Sequence, residues 1–118
     1  MVLMVEKGVT WDDIARELVV LAKNGATLCD VMGDLFCRHP EEITDDPIAI
    51  EKQIALIKEL HDAGAEVLMS SHVHKFTPAE RVLEIALEQQ RRGADIVKIV
   101  VGSENMMQQI ENLRIAVL

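Results

Sequence analysis

Glycine-alanine recurs at Gly25, Gly64 and Gly93, each time dividing a helix-periodic segment from a short apolar run: LAKNGATLCDVM, LHDAGAEVLMSS and QQRRGADIVKIVVG. Glycine suits the left-handed C′ position that ends a helix. The residues before each one include cations that suit the negative end of a helix dipole: Lys23, His61, Arg91 and Arg92. The apolar runs that follow cover about Leu28–Met32, Val67–Ser70 and Ile96–Val101. They are too short for helices and rich in Val, Ile and Leu, which predicts strands buried on both faces.

The segments before the glycines repeat with helical period. Ile14, Leu18, Leu21 and Ala22 share a face, as do Ile50, Ile54, Ile57 and Leu60, and Val82, Ile85, Ala86 and Gln89. Helix starts are marked at Thr10, at Asp46-Pro47 and at Thr77–Glu80 (TPAE), where threonine would cap, proline would open the helix and glutamate would close a capping box. A last helix is expected over about Glu104–Leu118, with Met107, Ile110, Leu113 and Val117 on its apolar side. Three strands alternating with four helices predict an α/β fold with a parallel sheet and right-handed crossovers. Such a unit belongs to a doubly wound sheet or to a β/α barrel. A whole barrel needs about 250 residues, so this chain is near half of one. Neither G-x-G-x-x-G nor G-x-x-x-x-G-K-[ST] occurs, which removes the usual support for a nucleotide fold.

The 118 residues suffice for a single domain, with residues 1–9 as an N-terminal extension or strand remnant. Trp11, Phe36 and Phe76 are the only aromatics besides histidine, so the core must be aliphatic. A net charge of −8 repels phosphate backbones and anionic membranes, which argues against nucleic-acid and membrane partners. The longest apolar runs reach five residues, too short for a bilayer span, and MVLMVEKG lacks the basic start of a signal peptide. Cys29 and Cys37 form no C-x-x-C pair and are expected as reduced thiols in the cytoplasm.

Chemistry concentrates where the strands end. In parallel α/β folds the C-terminal strand ends carry the site. His72 ends the second strand, and an imidazole can both take and give a proton near neutral pH. Lys98 lies within ADIVKIVVG, on one strand face with Ile96 and Val100. An apolar wall favours the neutral amine that a Schiff-base nucleophile needs. A lysine at such a place can equally snorkel or pair with a carboxylate. Neighbouring strands lie about 4.8 Å apart, close enough for His72 and Lys98 to meet one carbonyl compound. His74 adds an H-x-H pattern found in metal-dependent amidohydrolase barrels. A metal would need further ligands at other strand ends, and Asp34 is the candidate. Asp95 enters the third strand from its far end and is expected to be structural.

Together these residues resemble the type I 3-dehydroquinate dehydratase family. MSSHVHKFTP (Met69–Pro78) is similar to the family's histidine segment, and GADIVKIV (Gly93–Val100) to its lysine strand. ATLCDVMGDLF matches the preceding strand more loosely, and the resemblance covers about residues 12–118. Val73-His74 stand where the family has Asp-Phe. The resemblance implies a partial (β/α)8 barrel holding about the fourth to sixth strands. It implies a lyase that dehydrates 3-dehydroquinate to 3-dehydroshikimate in aromatic amino acid biosynthesis, with no metal or organic cofactor. Lys98 would form the imine and His72 would act as base and then acid. The family's substrate-holding residues on earlier and later strands have no counterpart, and Arg38, Arg81, Arg91, Arg92 and Arg114 match none of its arginines. Two rivals stand beside this reading: a catalytically incomplete barrel piece acting only by association, and another lysine-imine lyase or aldolase. An open three-stranded sheet has unpaired edges, so a homo-oligomer or a missing barrel half is the expected partner.

Overall fold

The computed structural model describes residues 9–117. The expected extension or strand remnant over residues 1–9 therefore lies, apart from Val9, outside the described residues. The chain alternates α1 (Trp11–Lys23), β1 (Leu28–Met32), α2 (Pro47–Asp62), β2 (Glu66–His72), α3 (Ala79–Arg91), β3 (Ile96–Val100) and α4 (Met106–Arg114), then a 3₁₀ turn at Ile115–Val117. The strands form one parallel sheet in the order β1-β2-β3. This is the α/β arrangement expected of a section of a β/α barrel.

The Gly-Ala punctuation has the backbone it requires. Gly25, Gly64 and Gly93 take φ of +104°, +95° and +112°, a region that costs a side chain dearly and glycine little. Thr10 caps α1 through a complete capping box with Asp13. Asp46 caps α2 by accepting from the Ala49 N–H at 2.8 Å, with Pro47 in the first turn. The third start differs from expectation. Pro78 takes the N-cap position of α3, and the buried Thr77 turns its hydroxyl to the Lys75 carbonyl instead.

Strand pairing sets two faces. In register, Asp30, Leu68 and Ile96 form one row, Met32, Ser70 and Lys98 the next, and His72 and Val100 the last. The opposite face carries Cys29, Val31, Val67 and Met69, all buried against the helices with Ile14, Leu18, Leu56, Ile57, Leu60 and Ile85. Burial on both faces is therefore not observed. The face bearing Asp30, Lys98 and Ile96 is open, with Ile96 42% exposed, because no layer of the described residues lies on it. Lys98 is exposed on that face of the edge strand β3.

Two helices also depart from the expected faces. In α2 the residue turned inward is Gln53, fully buried, while Ile54 is exposed. Helix α4 stops at Arg114, and its apolar side stays uncovered: Met107 is 73% and Leu113 75% exposed. No helix of the described residues is long and apolar enough to cross a membrane.

Candidate active site

Above the C-terminal ends of β1 and β2 lies a cleft of about 240 Å³, lined by Trp11, Met32, Asp34, Arg38, His39, Pro40, Glu42, His72, Val73 and His74. One wall is the long β1–α2 loop, residues 33–46. Buried side chains hold that loop from the helix side. Gln53 Nε2 donates to the Gly33 and Leu35 carbonyls at 3.0 and 2.8 Å. Arg92, only 2% exposed, donates to the Gly33 carbonyl, to Gln53 Oε1 and to the Thr44 carbonyl at 3.1, 3.0 and 2.5 Å. Its Nε reaches Glu88 at 2.8 Å. Burial pulls the Arg92 guanidinium below its ordinary pKa, against the opposing pull of Glu88. Arg81 grips Glu41 from the outer side at 2.8 Å, which holds that carboxyl below its usual range.

The loop delivers Glu42 to His72. The Glu42 carbonyl accepts from Ser71 Oγ at 2.6 Å. Its carboxylate Oε1 lies 3.2 Å from the His72 peptide nitrogen and 2.9 Å from His72 Nδ1. A carboxylate only accepts, so Nδ1 carries the proton, and a neutral His72 keeps Nε2 as its basic atom. Glu42 adopts φ +49° to make both contacts. Gly33 lets the loop close this tightly, since a Cβ there would sit 2.3 Å from the Glu42 carbonyl oxygen. Sequence reasoning missed Glu42. It lies thirty residues before His72, in a loop with no motif to mark it.

The other candidate residues fall as follows. Lys98 pairs in register with Ser70, two residues before His72, so both candidate side chains belong to the open face of neighbouring strands. Ser70 donates from its hydroxyl to Asp30 on that face at 2.7 Å. His74, at φ +60°, stacks its ring on His72 with centroids 6.0 Å apart. Asp34 is buried and accepts from the His39 N–H at 3.1 Å, and burial raises its carboxyl above the ordinary value. Among the described residues no three His, Cys, Asp or Glu side chains are grouped to hold a metal ion. Asp95 accepts from the Val67 N–H and meets His61 Nε2, at 2.8 and 2.7 Å, tying β2 to the end of α2 away from the cleft.

The family model for type I 3-dehydroquinase matches residues 12–116. A 3-dehydroquinate dehydratase of Clostridium novyi (strain NT) is 32% identical over a 96-residue alignment, and the match covers 70% of this chain and 38% of that protein. The crystal structure of a type I 3-dehydroquinate dehydratase from Clostridium difficile, with covalently modified comenic acid, superposes with a TM-score of 0.73 at 21% identity. That match covers 93% of this chain and 39% of the other, so the chain spans about two fifths of the length of the relatives it matches. With the family model matched across nearly the whole sequence, the chain belongs to the type I 3-dehydroquinase family.

Proposed function

We propose that Lys98 and His72 are the catalytic pair of a Schiff-base dehydratase that converts 3-dehydroquinate to 3-dehydroshikimate. The observation that carries this reading is their placement on one face of adjacent parallel strands, two register steps apart, in a chain of this family. The Lys98 amine adds to the ketone and loses water to give an imine. The imine draws electrons from the neighbouring carbon, which acidifies its C–H bond. His72 Nε2 takes that proton, then returns it to the hydroxyl leaving from the next carbon as water. A second water hydrolyses the imine and frees Lys98. Glu42 holds the imidazole with Nδ1 protonated, so that Nε2 is the atom that works.

On this reading the protein acts in the cytoplasm on a small-molecule substrate. It needs no metal or organic cofactor, and an oligomeric partner or further barrel strands cover the open sheet face. Borohydride reduction in the presence of 3-dehydroquinate should trap a mass adduct on Lys98. Lys98→Ala should abolish it, and His72→Ala should slow proton transfer while leaving imine formation. An adduct on a different lysine, or none in a chain completed by its barrel partner, would sink the assignment.

A further inference from the structure

The side of β2 that packs on the helices is apolar at Val67, Met69 and Val73, yet between the last two it carries Ser71, fully buried. Against this serine α3 presents Gln89, also fully buried. Ser71 Oγ donates to the Glu42 carbonyl at 2.6 Å, and Gln89 Nε2 donates to Ser71 Oγ at 2.9 Å. The direction of these bonds is fixed. The one hydroxyl proton of Ser71 goes to the Glu42 carbonyl, and the Lys98 carbonyl, 3.4 Å from the same amide nitrogen, can only accept. Gln89 must therefore turn Nε2 toward both, which leaves its Oε1 buried without a partner among the described residues. A buried orphaned acceptor weakens a fold, and an apolar side chain of similar shape would not carry it. Stability alone does not account for a glutamine at this place.

We propose that Ser71 and Gln89 are positioning residues that hold Glu42 on His72 from the helix side of the sheet and thereby fix the tautomer of the imidazole. The inference rests on the dehydratase reading only for what His72 then does with its free Nε2. Side chains alternate along a strand, so Ser71 and His72 lie on opposite faces of β2. Glu42 spans the strand end between them. Its carbonyl meets Ser71 on the helix side, and its carboxylate meets the His72 peptide nitrogen and Nδ1 on the open side, at 3.2 and 2.9 Å. A non-glycine residue at φ +49° persists only where its surroundings over-determine it. The Glu42 N–H donates to the His39 carbonyl inside the same loop at 3.0 Å. Of its two main-chain groups, the carbonyl is thus the one tied to the sheet. Gly33 leaves room for that tie, since a Cβ there would stand 2.8 Å from Ser71 Oγ. With the carbonyl released, the left-handed residue relaxes and its carboxylate leaves Nδ1. Neither Ser71 nor Gln89 lines the cleft, so each acts on His72 through Glu42.

The test reads the neutral His72 ring of the 118-residue chain by long-range ¹H–¹⁵N correlation, which separates the Nδ1–H from the Nε2–H tautomer. The wild type should show Nδ1–H. Ser71→Ala should lower the ratio of Nδ1–H to Nε2–H about fivefold, the worth of one hydrogen bond, and Ser71→Thr, which keeps the hydroxyl, should restore it. Gln89→Met should move the ratio the same way by a smaller factor. Its stability to urea should stay at or above that of the wild type, because the orphaned Oε1 leaves together with the donor. A merely structural role would not separate tautomer from stability in this way. Asp95→Ala loosens the other end of β2, where Asp95 holds the Val67 N–H and His61. It should lower stability and leave the ratio alone. A ratio unchanged in Ser71→Ala or in Gln89→Met, or moved as far by Asp95→Ala, would overturn the positioning role. If Ser71→Ala does not fold, Gln89→Met decides. The dehydratase reading fails separately. Absence of a borohydride adduct with 3-dehydroquinate, while Ser71 still governs the tautomer, removes the reaction and keeps the positioning role. An adduct on Lys98 with an unchanged tautomer in Ser71→Ala removes the positioning role and keeps the reaction.

Discussion

Replacing Arg92 by methionine tests whether the loop wall of the cleft is held from inside the helix layer. Methionine keeps an unbranched apolar stem and discards the guanidinium. Two buried acceptors would then lose their Arg92 donor: the Thr44 carbonyl, in a residue 1% exposed, and Gln53 Oε1, in a residue 0% exposed. Each orphaned acceptor costs about 1–3 kcal/mol. The Gly33 carbonyl is spared, since the Thr44 N–H and Gln53 Nε2 still reach it at 3.0 Å. Glu88 also keeps a partner, because Arg91 Nη2 lies 2.6 Å from it. Against these losses stands the relief of no longer burying a cation, which in other proteins has made such replacements neutral or stabilising.

The acceptors decide the sign, because each is fully enclosed and methionine offers no donor. A net loss of about 2–3 kcal/mol follows, below the 3–5 kcal/mol typical of a buried charge stripped of its only partner. Urea unfolding should show the shift with an unchanged slope. Hydrogen exchange should speed up at the Thr44 amide, which donates to the Gly33 carbonyl. A variant as stable as the wild type, with Thr44 still protected, would mean that burial of the guanidinium offsets its bonds and that the loop is held by other contacts.

Three further outcomes are expected. Gly33→Ala would place a Cβ 2.3 Å from the Glu42 carbonyl oxygen and 2.8 Å from Ser71 Oγ. It should cost about 1–3 kcal/mol by overpacking and free the Glu42 carboxylate from His72, seen as loss of the single Nδ1–H tautomer in ¹⁵N spectra of the ring. Glu88 is held at a pKa of about 2, first by Arg91 and then by Arg92. Its stabilisation is complete above the ordinary value of 4.5 and is lost as pH falls through about 2, so Glu88→Gln should flatten the acid limb of a stability–pH curve in that window. Asp34 has the opposite sign. Burial raises its pKa, so its protonated form favours the fold and that advantage is lost as pH rises through the shifted value. Asp34→Asn should therefore be more stable than the wild type at pH 7, with the difference shrinking in acid.

How much of this was legible in the sequence depended on whether a residue's role is local. The Gly-Ala stops were legible because a left-handed C′ residue is decided within one helix turn. Thr10 and Asp46 were legible for the same reason. Gln53 and Ile54 were exchanged because the periodic reading counts an amide as outward, whereas here the amide answers two loop carbonyls that face inward. Arg92 was read as a dipole partner at a helix end, and that reading has no means of showing that its fork spans the start and finish of a loop 48 to 59 residues earlier. Glu42 had no signal beyond its place in an acidic loop. Its contact with His72 exists only once that loop has folded over β2.

Lys98 shows the limit most sharply. The run Ile96–Val100 is as apolar as the run that forms β2, and period alone gives both the same reading. In β2 the helix-facing residues Val67 and Met69 are 0% exposed. In β3 even the helix-facing Val97 is 41% exposed, since an edge strand lacks a neighbour on one side. An apolar strand therefore records the surroundings it requires, whether or not the same segment supplies them. The residues that would face Lys98 from across a barrel belong to other strands, and in the solved relative the matched region is 39% of the chain. The setting of this lysine is a property of whatever lies against the open face. Its proposed role can accordingly be argued from its place beside His72, while its reactivity depends on the covering layer.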